Sequence, residues 1–227
     1  MSAPHGLIGV EDAGAFLARL TRLDPRAVVR LRGDPAAGRT TLWARLPWRV
    51  LVARTVAGVG PQDTTVSAAE LLAEIARGGT ELPPARDREW QWALPPARGE
   101  VVERLAVADV RRVAAAAAAT VRAATTGGVR GRPVGQRMLR EALLDHVAIV
   151  VTPEEGAPVD LPQRLVQAVV RMGFLGPAPE TSGAGADHPV HVRVAGRWVG
   201  LSAPYGIAWL PPVDNLLTPI ALARTNV

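Results

Sequence analysis

The sequence predicts an α+β fold in which two antiparallel β-meanders carry helices packed against them, a helix plus three strands used twice. Three observations predict it. Segments rich in β-branched and aromatic residues cluster in threes at residues 27–55 and again at 190–210. Each cluster follows an amphipathic helical stretch, and the turns of one cluster match the turns of the other.

The elements follow in chain order. Residues 12–22 place Phe16, Leu17 and Leu20 on one face at helical spacing, and Asp24-Pro25 ends that helix. "AVVRLR" (27–32), "TTLWARL" (40–46) and "RVLVART" (49–55) read as a three-stranded meander punctuated by Gly33 to Gly38 and by Pro47. Ser67 opens a second helix as its N-cap, with Glu70 at the capping-box position and glycine at the C-terminal end. "EWQWAL" (89–94) alternates and reads as a strand. Residues 107–126, dense in alanine, form a long helix whose small side chains suit close packing. A helix at about 135–146, the strand "VAIVV" (147–151) and a helix at 161–173, introduced by Asp160 with Pro162 in its first turn, come next. Strands "VHVRV", "RWVGLS" and "GIAWL" close the pattern.

The two ends of the chain correspond. Gly38-Arg39 answers Gly196-Arg197, Pro47-Trp48 answers Pro204-Tyr205, and Val50 answers Ile207. This reads as an internal duplication, against the alternative that any two meanders rich in Gly, Arg and Val align this well. The organisation expected is an N-terminal half at 1–105 and a C-terminal half at 106–227, or a single compact body.

Composition narrows the function classes. The chain has 227 residues, 48% of them hydrophobic, enough for a sizeable core. Its longest apolar runs fall far short of the roughly 20 residues of a membrane span, and the N-terminus lacks the basic start of a secretory leader. With no cysteine there is neither a disulfide framework nor a thiolate ligand. A cytoplasmic location without membrane partners is the expectation. All 26 basic residues are arginine, which reads as the coding bias of a GC-rich genome, and the net charge of +5 mildly favours anionic partners.

Motifs with chemical potential are few. Gly33, Gly38, Arg39 and Thr40 have the spacing of a phosphate-binding loop with arginine in place of lysine. The following "TLWARLPW" favours a strand, however, so no helix N-terminus can face a phosphate, and a hairpin loop is expected. Arg130-Gly131-Arg132-Pro133 resembles the core of the AT-hook, whose arginines lie along a narrow minor groove; it lacks the preceding proline and basic flanks and sits between two helices. A winged-helix reading would take the last helix, with Gln163, Gln167 and Arg171 along one face, as a reader of base edges and residues 190–201 as the wing. An exposed polar face is the alternative. His188 and His191 lie three apart at a strand entrance and so point to opposite faces, and no metal site is expected. No serine occupies a nucleophile elbow. No cofactor and no catalytic residue are nominated.

Six tryptophans stand against two phenylalanines and one tyrosine, and all six fall in or beside expected strands. One reading is a core role; the other is an aromatic surface interspersed with arginines, suited to stacking and to anionic groups. The expected binding residues are Trp43, Arg45, Trp48, Arg49, Arg193, Arg197, Trp198 and Tyr205, with Arg130, Arg132, Gln167 and Arg171 as nucleic-acid contacts. The function expected is a non-enzymatic binding or regulatory protein for a protein or nucleic-acid partner, with homo-oligomerisation left open. The alternative is a small-molecule domain or enzyme that takes a small anionic ligand in the cleft between the meanders.

Overall fold

A computed structural model describes residues 3–127, 142–153, 156–177 and 188–212. The architecture is α+β: one eight-stranded antiparallel sheet with helices on one face, and a separate two-stranded ribbon. α1 (Val10–Leu23) leads into β1 (Val28–Asp34), β2 (Arg39–Arg45) and β3 (Leu51–Ala57). β4 (Thr64–Ser67) runs directly into α2 (Ala68–Ala76), whose N-cap is Ser67, its hydroxyl accepting from the Glu70 amide at 3.3 Å. The Glu70 carboxylate does not complete a capping box; it pairs with Arg86 at 2.7 Å.

The second half begins with β5 (Glu100–Leu105) and α3 (Val107–Gly127). A helical turn at 142–145 lies inside the helix expected at 135–146, whose earlier residues fall outside the described ones. The ribbon of β6 (Val147–Val151) and β7 (Val159–Pro162) precedes α4 (Gln163–Arg171), which starts after Pro162 rather than at Leu161 because residues 159–162 pair with β6. β8 (Val190–Ala195), β9 (Trp198–Ala203) and β10 (Gly206–Leu210) complete the sheet.

The strand order β4-β1-β2-β3-β10-β9-β8-β5 reads the same from either edge once the halves are exchanged. α1 precedes β1-β2-β3 as α4 precedes β8-β9-β10. β4 flanks β1 and leads into α2, as β5 flanks β8 and leads into α3. This is the internal duplication expected from the sequence. Gly38 and Gly196, matched there, both adopt left-handed backbone, φ 63° and 59°, at the first turn of each meander. Glycine adopts that region without a Cβ penalty.

β3 and β10 hydrogen-bond along the seam, pairing Ala53 with Ile207 and Leu51 with Trp209. The meanders therefore meet edge to edge, and no cleft separates them within the sheet. On the helix side the seam is closed by Phe16 of α1 stacked on Phe174 after α4, ring centroids 6.3 Å apart, both buried. The main core lies between helices and sheet and takes Leu31, Leu42, Val52, Leu71, Leu165 and Leu201, among others.

Two expectations are corrected. Residues 89–94 are not a strand: a short 3-10 turn (Asp87–Glu89) is followed by an irregular segment over the outer sheet face. Alternation alone misled there, because the segment crosses the face of the sheet between the prolines at 83–84 and 95–96 and does not lie along a strand edge. The winged-helix arrangement is also absent. The hairpin at 190–201 lies inside the sheet between β5 and β10 and is no free wing, and Gln163, buried at 3% exposure, cannot reach a base edge. Gly33 to Gly38 closes the β1–β2 hairpin, as expected. Among the described residues no helix is long and apolar enough to cross a membrane.

Candidate partner-binding face

Strand alternation sends one set of side chains into the main core and the other to the face away from the helices. Register aligns that second set in two rows. One runs Arg30, Trp43, Ala53, Ile207, Ser202, His191; the next runs Arg45, Leu51, Trp209, Gly200, Arg193. Leu51, Ala195, Trp198 and Trp209 form a small buried cluster here, with Trp43, Trp90 and Ile207 packed on it.

The segment joining the two halves crosses this face. Arg86 donates its amide to the Thr65 carbonyl at 2.7 Å, and the Thr65 amide donates to Asp87 at 2.6 Å, covering the β4 edge. The Arg30 guanidinium stands 5.5 Å from the Trp90 ring centroid, and that of Arg45 4.9 Å from Trp92. The two indoles meet edge to face at 5.2 Å, and Trp90 Nε1 donates to the Trp92 carbonyl at 2.7 Å. Arg193 then donates to the Gly99 carbonyl at 2.8 Å. Cation–π contacts of this kind are worth about 0.5–1 kcal/mol at exposed positions.

Charges on the face are unevenly compensated. Arg30 is bidentate to Asp63 at 2.6 and 2.7 Å; this hydrogen bonding raises the Arg30 pKa and holds the Asp63 carboxyl below the usual carboxylate range. Arg45 is shifted the other way, first by burial and then by the Arg49 charge. Arg49 sits in the β2–β3 turn at φ 67°, the one described non-glycine residue with positive φ.

The expected site residues thus divide. Trp43, Arg45, Arg193 and Trp198 share the outer face, Trp198 buried at 8% exposure. Arg197 is exposed in the β8–β9 turn. Trp48 belongs to the helix side: its Nε1 donates to the Arg164 carbonyl at 3.1 Å, and Arg164 Nη1 returns a bond to the Trp48 carbonyl at 3.1 Å. Tyr205 also lies there, its ring 5.3 Å from the Arg54 guanidinium, which reaches the Tyr205 carbonyl and Asp12. Gln167 and Arg171 line a cavity of about 570 Å³ with Trp48, Val121 and Leu144. Arg130 and Arg132 fall outside the described residues. Missed from sequence were Arg30, Asp63, Trp209 and the role of residues 86–99. The pentapeptide Leu-Pro-Pro-Ala-Arg, at 82–86 and again at 94–98, was the available signal for an extended segment.

The fold is that of the DNA polymerase sliding clamps. A DNA polymerase β subunit from Streptococcus pyogenes matches with TM-score 0.55 and 11% identity over 92% of this chain and 66% of its own. A sliding clamp from Caulobacter crescentus matches at 0.54 and 10% over 99% and 70%. The DNA polymerase III β subunit of Thermotoga maritima matches at 0.51 and 12% over 92% and 63%. The chain thus spans about two thirds of the length of these proteins. At this identity the likeness concerns the fold alone. The chain belongs to the family described as Domain of unknown function (DUF8185), matched over residues 94–214, and a second model, Domain of unknown function (DUF8010), matches residues 9–94. No curated protein matches it.

Proposed function

We propose that this chain is a non-enzymatic binding protein that engages a protein partner through the outer face of its sheet. The observation that carries the reading is the row Arg45, Leu51, Trp209, Gly200, Arg193, which sets two guanidinium groups on either side of a buried apolar strip with Trp209 and holds Trp92 and the Gly99 carbonyl of the chain's own connecting segment. Aromatic and arginine side chains supply most of the binding energy in protein interfaces. The sliding-clamp fold supports a scaffold role, because the proteins that share it are named as polymerase clamps and β subunits.

A second reading has its own observation. α3 and α4 together carry five arginines against one aspartate, an excess of positive charge on these two helices even with Arg164 paired to Asp145, and nucleic acid is the partner that suits it. Gln167 and Arg171 belong to that reading.

The two are tested separately. For the first, proteins co-purifying with the wild type are compared with those retained by Arg45→Glu/Arg193→Glu; proteins lost from the variant support the outer face, and identical sets contradict it. For the second, duplex and single-stranded oligonucleotides are titrated near physiological salt. Binding that survives there, and whose salt slope falls by up to about two units in Arg112→Ala/Arg171→Ala, supports nucleic acid. Binding no tighter than that of a charge-matched control removes it.

A further inference from the structure

Resting on the outer-face reading, we propose that this face is a recognition groove for an extended, proline-flanked segment of a partner protein bearing paired tryptophans, and that residues 88–98 of the chain fill it until displaced. The bound segment shows the recognition chemistry. Trp90 rests on the Leu51, Trp198 and Trp209 cluster beside Arg30, Trp92 lies under Arg45, and Arg193 takes the Gly99 carbonyl.

What holds the segment is its side chains. From residue 91 to 98 it makes no backbone-to-backbone hydrogen bond among the described residues, and the Trp92 carbonyl accepts from the segment's own Trp90 indole. Gln91, Ala93, Pro96, Ala97 and Arg98 are exposed. A strand would be zipped into the sheet; this segment is pinned at a few side chains, and another segment carrying the same groups can take those positions. Proline favours the extended polyproline conformation, so a proline-flanked segment loses little entropy on docking to an aromatic-lined groove.

Displacement leaves the sheet intact. Residues 86 and 87 stay anchored on β4 and Glu70, and Glu100 onward stays paired with β8. The thirteen residue steps from Asp87 to Glu100 can extend to roughly 43 Å. The seven strand spacings from β4 to β5, where Glu100 lies, amount to roughly 34 Å. The segment therefore has slack to lift without unpairing either edge. Because the resident segment competes at high effective concentration, a partner binds the intact chain more weakly than its intrinsic affinity for the groove.

The test uses a labelled peptide of residues 82–98 and the full chain. Trp92→Ala loosens the resident segment and should bind the peptide at least tenfold more tightly than wild type. Adding Arg45→Ala should weaken that binding about two- to fivefold, and a peptide with both tryptophans replaced by alanine should not bind. A folded Trp92→Ala chain with wild-type peptide affinity, or binding indifferent to Arg45, overturns the proposal. Should Trp92→Ala fail to fold, hydrogen exchange on the wild type decides: amides 91–94 should exchange at least a hundredfold faster than those of β2 and β3, and core-like protection overturns it. Co-purifying proteins lost from Arg45→Glu/Arg193→Glu without any peptide binding would keep the outer-face reading and refute this one.

Discussion

Gly200 lies under the Trp209 ring, and the pair gives a prediction whose sign depends on context. A Cβ at Gly200 would stand 2.6 Å from Trp209 Cε3 and 2.8 Å from Cδ2 and Cζ3. The ring cannot swing away freely, because Trp209 is buried at 5% exposure among Leu51, Ala195 and Trp198. Forcing extra volume into such packing costs about 1–3 kcal/mol. Replacing a strand glycine returns about 0.5–1 kcal/mol of backbone entropy, so Gly200→Ala should destabilise by a net of up to about 2.5 kcal/mol. Trp209→Ala alone should cost about 3–5 kcal/mol. In that background the clash is gone, and Gly200→Ala should become stabilising by about 0.5–1 kcal/mol. Urea unfolding of the four proteins, with m-values checked for two-state behaviour, reads the cycle. Equal costs of Gly200→Ala in both backgrounds would refute the packing argument.

Other outcomes follow from the same geometry. Arg49→Gly should stabilise by up to about 1 kcal/mol, since a left-handed L-residue costs about 1–2 kcal/mol while glycine gives back part of it through unfolded-state entropy; unfolding midpoints check this, and destabilisation contradicts it. The Asp63 carboxyl, depressed by Arg30, contributes stability that is present above its unfolded value near about 4 and is lost as pH falls through the lower folded value. Asp63→Asn should therefore flatten the acid limb of stability against pH, and an unchanged limb would contradict the pairing. Ser67→Ala should cost about 1 kcal/mol through loss of the α2 N-cap, read by thermal unfolding, with no loss meaning that the cap is dispensable.

The elements legible in the sequence are those whose side-chain period is unbroken. α1 shows Phe16, Leu17 and Leu20 at helical spacing, and β1, β2 and β3 alternate, so each was placed within two residues. β4 escaped because four residues, two of them threonine, run straight into the Ser67 cap. β5 escaped because Glu100, Glu103 and Arg104 sit on an exposed edge strand whose register shifts between Val101 and Glu103. Trp90 and Trp92 alternate like a strand, yet their backbone is flanked by prolines and finds no ladder partner. The tryptophans could be counted but not assigned to faces, since Trp48 lies in a turn where alternation gives no guide and its indole goes to Arg164. Pairings such as Arg30 with Asp63, 33 residues apart, leave no local sequence pattern.

A photoreactive side chain placed at Trp43, on the outer face, and separately at Arg112, on the exposed side of α3, distinguishes the two faces as docking surfaces. Cells making each variant are irradiated and adducts are identified by mass. A protein adduct forms from position 43 and not from position 112 if the outer face is the docking surface. Adducts formed from position 112 alone, or a nucleic-acid adduct there with none from position 43, would contradict that.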